Sequence, residues 1–122
     1  MRILKAFFLA LHLRLGNKTR LSLRSYLKGI DRMTIGRSCK IMRGVTLDAS
    51  RSGEIRLDDN VTLNMQAILI GGNGGIRLGR GVEINCFGFL DGSGGLDIGE
   101  RTLVGPGVRI ITYQHGFDGR EP

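Results

Sequence analysis

At 122 residues the chain suggests one domain. Its 20 glycines, two prolines and lack of tryptophan, with no collagen period, suggest tight corners around a narrow aliphatic core. The net charge of +7 is lopsided: residues 1–43 hold eleven Lys and Arg against Asp31 alone, and the rest holds seven Arg against ten acids, so a basic arm precedes a mildly acidic body.

The arm comes first. Leu4, Phe7, Phe8, Leu11 and Leu15 lie at helical spacing, so residues 1–28 read as helical, with Gly16-Asn17 as a stop. Such a segment suits a cap on the open end of a solenoid. It equally suits an interfacial helix whose Phe and Leu dip into a membrane while Lys and Arg meet anionic lipid. Residues 1–32 are therefore expected to be a basic amphipathic arm, with peripheral membrane contact through 1–28. No aromatic stacking platform accompanies the charge, which argues against nucleic acid. Ile3–Leu15 carries Lys5, His12 and Arg14, and no small-residue cleavage site follows it. With no apolar run of roughly 18 residues, the expected location is cytoplasmic, at most peripheral at the inner membrane face.

From Ile35 onward an aliphatic residue recurs every six positions. The frame runs Ile35, Ile41, Leu47; Leu57, Leu63, Leu69; Leu78, Ile84, Leu90; Ile98, Val104, Ile110. It is interrupted only after each third hexad, by four, three and then two extra residues. The unit is a coil of three hexads, with short loops leaving from one corner. Two residues before each aliphatic stands a second apolar or small residue, such as Met33, Cys39, Val45, Val61 and Val82. Alternate residues of a strand share a face, so each hexad supplies a short strand with two inward side chains. Gly, Asp or Asn often follows the aliphatic, as at Gly36, Asp58, Asn64 and Gly79, where the chain must turn. About four stacked coils over residues 33–114 would bury a column that no single coil buries alone.

The segment from Glu83 carries Asn85, Leu90-Asp91, Ile98-Gly99, Val104-Gly105-Pro106-Gly107-Val108, Thr112 and His115 in that order. Over residues 33–118 the chain resembles the hexapeptide-repeat O-acetyltransferases that modify sugars, and most closely those that acetylate bacterial surface polysaccharides. The resemblance implies an all-β solenoid, wound as a three-sided left-handed parallel β-helix. It also implies a cytoplasmic homotrimer that moves an acetyl group from acetyl-CoA to a sugar hydroxyl in polysaccharide biosynthesis. Acetyl-CoA would be a substrate and no cofactor would be permanently bound.

By the same resemblance His115 is the general base, since an imidazole titrating near neutrality suits deprotonation of an attacking hydroxyl. Asn85 and Asp91 match positions that line the acceptor pocket. Turn formation alone also accounts for both. No metal is expected: the hexapeptide-repeat carbonic anhydrases need three His ligands, and this chain has His12 and His115 only. Cys39 points inward and Cys86 sits at a corner two coils away, beyond disulfide reach. The glycine pairs Gly71-Gly72, Gly74-Gly75 and Gly94-Gly95 match no phosphate-binding signature.

In the family, further hexads after the catalytic His hold the pantetheine arm of coenzyme A. Donor-binding residues are thus expected beyond Pro122, with 115–122 as the start of an active-site loop. The chain then reads as part of a longer enzyme, as half of a two-chain enzyme, or as a non-catalytic β-helix docked to a membrane or partner by its arm.

Overall fold

The computed structural model describes residues 14–113. They form five coils of three short strands each. The first coil holds β1 (Arg14–Leu15), β2 (Arg20–Leu21) and β3 (Tyr26–Lys28), and the second β4 (Met33–Ile35), β5 (Lys40–Ile41) and β6 (Thr46–Asp48). The third holds β7 (Ile55–Leu57), β8 (Thr62–Leu63) and β9 (Ile68–Ile70). The fourth holds β10 (Ile76–Leu78), β11 (Glu83–Ile84) and β12 (Phe89–Asp91). The fifth holds β13 (Leu96–Ile98), β14 (Leu103–Val104) and β15 (Arg109–Ile111). Every third strand joins the same sheet, giving three parallel five-stranded sheets: first β1-β4-β7-β10-β13, second β2-β5-β8-β11-β14, third β3-β6-β9-β12-β15.

The expected parallel β-helix is therefore the fold, and the register follows the hexad frame. Ile35 pairs with Leu57, Leu57 with Leu78, and Leu78 with Ile98 in the first sheet. Ile41, Leu63, Ile84 and Val104 align likewise in the second sheet, and Leu47, Leu69, Leu90 and Ile110 in the third. All these side chains are buried except Ile110, which packs half-buried against the cluster in the last coil. The second inward set follows suit, with Met33, Cys39, Val45, Ile55, Val61, Ala67, Ile76 and Val82 all in the core. Each fully buried Leu or Ile stabilises by about 1.5–3 kcal/mol, so the column, and not the two- and three-residue strands, holds the molecule together.

One expectation is corrected. Residues 14–28 are not helical but form a coil of the solenoid, so the β-helix begins before residue 33. Leu21 aligns with Ile41 and Leu27 with Leu47, extending the same aliphatic columns downward. The frame itself reaches this far, since Leu15, Leu21 and Leu27 are six apart. The inward partners here are polar and satisfied locally. Thr19 Oγ1 donates to the Gly36 carbonyl at 2.5 Å and accepts the Cys39 N–H at 3.1 Å. Buried Ser25 donates to the Ser22 carbonyl at 2.6 Å. Residues 1–13, with the rest of the expected helix, lie outside the described residues.

The corners repeat as strictly as the strands. Between the second and third sheets the turn closes by Val45 N–H to the Met42 carbonyl, Ala67 to Asn64 and Gly88 to Asn85. The third residue of each turn, Gly44, Gln66 or Phe87, has positive φ, as a type II turn demands. The extra residues all leave from the corner between the third and first sheets, as 29–32, 49–54, 71–75 and 92–95, the last three each one residue shorter than the one before.

Candidate functional site

Asp91 ends β12 and sits where the third sheet hands over to the fourth coil's loop. Its side chain is buried, and Oδ1 accepts the Ser93 N–H at 2.8 Å, which folds the chain into that loop. Its backbone carbonyl is engaged from above: Thr112 Oγ1 donates to it at 2.8 Å and Thr112 N–H at 3.2 Å. The same Thr112 hydroxyl accepts the Gly94 N–H at 2.9 Å. Thr112 thus clamps the end of the fifth coil onto the 92–95 loop. Sequence reasoning passed over Thr112 as an anchor. The available signal was its place in the frame, two residues after Ile110, matching Gly92 two after Leu90 and Gly71 two after Leu69.

Asn85 lies at the other end of the same face, at the corner between the second and third sheets. It opens the turn that Phe87 and Gly88 complete. Its Oδ1 accepts the Cys86 N–H at 2.9 Å, a turn-forming role, and Asn64 Nδ2 from the coil below approaches it at 3.5 Å. Asn64 Nδ2 also donates to Glu83 Oε2 at 3.1 Å. The Asn85 amide nitrogen makes no hydrogen bond among the described residues. Asn85 and Asp91 therefore bracket the outer face of β12 and do not touch. Phe89 stands between them on that face, with the Arg109 guanidinium 4.7 Å from its ring centre.

His115 lies outside the described residues, as does His12. The described chain ends at Tyr113, one residue past the Thr112 clamp and so at the Asp91 corner. Among the described residues, no three His, Cys, Asp or Glu side chains converge as a metal site would require. No helix there is long and apolar enough to cross a membrane.

The cysteines lie as the frame places them. Cys39 is fully buried in the second coil, its thiol donating to the Asp58 carbonyl with Sγ 3.2 Å from the oxygen, and Cys86 is a half-buried free thiol at a corner of the fourth. Burial raises the Cys39 pKa above the ordinary thiol value.

The corner glycines serve packing. A Cβ on Gly53 would meet the Gly75 nitrogen, one on Gly74 the Gly95 nitrogen, and one on Gly94 the Thr112 carbonyl. Successive loops nest backbone on backbone, which no larger residue permits.

No family model matches the chain, and no curated protein or solved structure is significantly similar to it.

Proposed function

We propose that the chain is the acceptor side of an O-acyltransferase that moves an acetyl group from acetyl-CoA to a sugar hydroxyl, with His115 as general base. The observation that carries this reading is the clamp of Thr112 onto Asp91 and Gly94. It ties the chain to the Asp91 corner two and three residues before the sequence reaches Gln114 and His115. A carboxylate beside the point where the described chain ends, two residues short of His115, suits transfer to a hydroxyl.

In this reading the His115 imidazole takes the proton as the sugar oxygen attacks the thioester carbonyl. The tetrahedral intermediate collapses, the C–S bond breaks, and the coenzyme A thiolate leaves and takes up the proton from the imidazolium. Thioesters are activated already, so no acyl-enzyme is required. Asp91 commits one oxygen to Ser93 and has a second with which to accept from a sugar hydroxyl. Asn85 offers its amide nitrogen as a donor from the far end of β12. Contacts to the pantetheine arm, the trimer, the cytoplasmic location and a place in surface-polysaccharide synthesis are parts of the same proposal. So is attraction of the basic residues 1–28 to an anionic membrane carrying the acceptor.

The test is steady-state acetyl transfer by this chain together with the donor-binding coils, wild type against His115→Ala, with acetyl-CoA and a panel of sugar acceptors. The expected result is a fall in kcat of about 10²–10⁴ with unchanged far-UV circular dichroism and urea midpoint. Wild-type turnover matched by the variant, or loss of fold in step with loss of rate, would remove His115 from the role.

A further inference from the structure

From 49–54 through 71–75 to 92–95 the corner loops shorten by one residue per coil, and the staircase they form leaves a cleft of about 570 Å³ beside the first sheet. That volume lies within the range of small-ligand sites. The floor is the outer face of the first sheet, where Arg56 and Arg77 are adjacent in register and Asp97 follows. Ser52, Glu54 and Asn73 form the rim. The walls between them are glycine backbone, at Gly53, Gly74 and Gly75, which lets a ligand approach the chain closely.

The charges are arranged oddly for a surface with only a structural task. Like charges facing each other across neighbouring strands, about 4.8 Å apart, are unfavourable. Arg77 is partly compensated by Asp58, at 3.6 Å. Arg56 has no ion pair among the described residues. Two arginines one strand apart are within reach of a single carboxylate, to which a guanidinium can donate two N–H groups. Yet Glu54 and Asp97 make the lining neutral overall, so the cleft does not suit a multiply charged anion. Carboxylates in that position accept hydrogen bonds from hydroxyls. Asn73 Oδ1 accepts from the Ser52 hydroxyl at 3.1 Å, which leaves its amide N–H groups as donors. Among the described residues no aromatic ring lines the cleft, so recognition there rests on charge and hydrogen bonds, not on stacking.

We propose that this cleft binds a carboxylate-bearing sugar, its carboxylate across Arg56 and Arg77 and its hydroxyls on Glu54, Asp97 and Asn73. The inference rests on the sugar-acceptor reading for its place in function: the cleft lies on a different face from Asp91 and Asn85, and would hold an acidic residue of an extended acceptor away from the reacting hydroxyl. The binding itself is independent of acyl transfer.

The experiment is calorimetric titration of the full chain with trigalacturonate, with neutral maltotriose and sodium acetate as controls. Trigalacturonate should bind at least about tenfold more tightly than either control. Arg56→Gln and Asp97→Asn should each weaken it about tenfold or more while leaving the urea midpoint in place. The His115→Ala chain should retain the same affinity, and intact binding by a wild type that transfers no acetyl group would count against the catalytic reading alone. Equal affinity for acetate would reduce the cleft to a plain anion patch. No binding of trigalacturonate, equal binding of maltotriose, or indifference to both substitutions would each overturn the proposal.

Discussion

Asp48 and Asp91 stand two coils apart at the same corner, and each folds its carboxylate onto the backbone N–H two residues ahead, Ser50 at 2.9 Å and Ser93 at 2.8 Å. The shared geometry separates what Asp91 does for the fold from what it would do for chemistry. Asp48 performs the turn with no catalytic neighbour in its coil. Asp91→Asn keeps an oxygen to accept the Ser93 N–H, so its urea midpoint should match wild type to within about 0.5 kcal/mol. Asp91→Ala removes the acceptor and should cost about 1 kcal/mol. If the second oxygen receives a sugar hydroxyl, Asp91→Asn should raise the acceptor KM in the transfer assay despite its normal stability. A KM unchanged by Asp91→Asn would leave the residue as a turn former only.

Asp48 adds a pH dependence. The Ser50 hydroxyl, 2.6 Å from Oδ1, holds its carboxyl below the ordinary carboxylate value, with the Ser50 N–H, Lys28 and Arg51 adding to the effect. The folded state therefore favours the ionised form. This contribution to stability is fully present above the ordinary carboxylate pKa and is lost as pH falls through the lowered folded value. Asp48→Asn keeps the turn but cannot ionise. Urea midpoints should differ between wild type and Asp48→Asn at pH 7, and the gap should close as the pH is taken down below the ordinary carboxylate pKa and through the lowered folded value. A gap that is constant with pH would show that the charge at Asp48 does nothing.

The aliphatic frame was readable because burial in a three-sided column tolerates little else. Ile35 through Ile110 occupy positions where a polar side chain would stand unpaired against the coils above and below. The first coil was harder to read for a specific reason. Its inward positions at Thr19 and Ser25 are polar and satisfied by carbonyls of Gly36 and Ser22, so only Leu15, Leu21 and Leu27 kept the frame. Leu15 also completes the helical spacing that starts at Leu4, and the two periods compete for it. The site was legible only in part. Asn85 and Asp91 stand out as the polar residues after inward aliphatics, but so do Asn64 and Asp48, and nothing in the pattern ranks them. The pairing of Arg56 with Arg77 follows from the frame, since each stands one residue before Leu57 or Leu78, but the cleft that the corner loops leave beside them does not.

The nested loops make two glycines opposite in their tolerance of a methyl group. A Cβ on Gly74 would press on the Gly95 nitrogen and lie 2.6 Å from the Gly92 carbonyl oxygen, both backbone atoms that cannot swing away. Around Gly99 nothing described lies within 4 Å, and its φ is one that any residue adopts. Gly74→Ala should therefore destabilise by about 1–3 kcal/mol through overpacking. Gly99→Ala should be neutral, or stabilise by about 0.4–1 kcal/mol by reducing the freedom of the unfolded chain. Denaturant melts of the two variants beside wild type decide it, and a harmless Gly74→Ala would mean that the loops do not nest.

The two thiols provide a reading of how firmly the column is closed. Cys39 is a core residue whose thiol is tied to the Asp58 carbonyl, and burial holds its pKa above the ordinary value, so little thiolate forms and no reagent reaches it. Cys86 stands at a corner, half-buried beside the exposed ring of Phe87. Ellman's reagent at pH 8 should modify Cys86 in the native protein and leave Cys39 untouched until denaturant unfolds the second coil. The Cys39 rate as a function of denaturant then measures the opening of that coil by itself, because in a solenoid each coil rests only on its neighbours. Rapid modification of both thiols without denaturant would mean that the lower coils open readily. The register between Ile41 and Leu63 would then be a weak joint and not a continuous core.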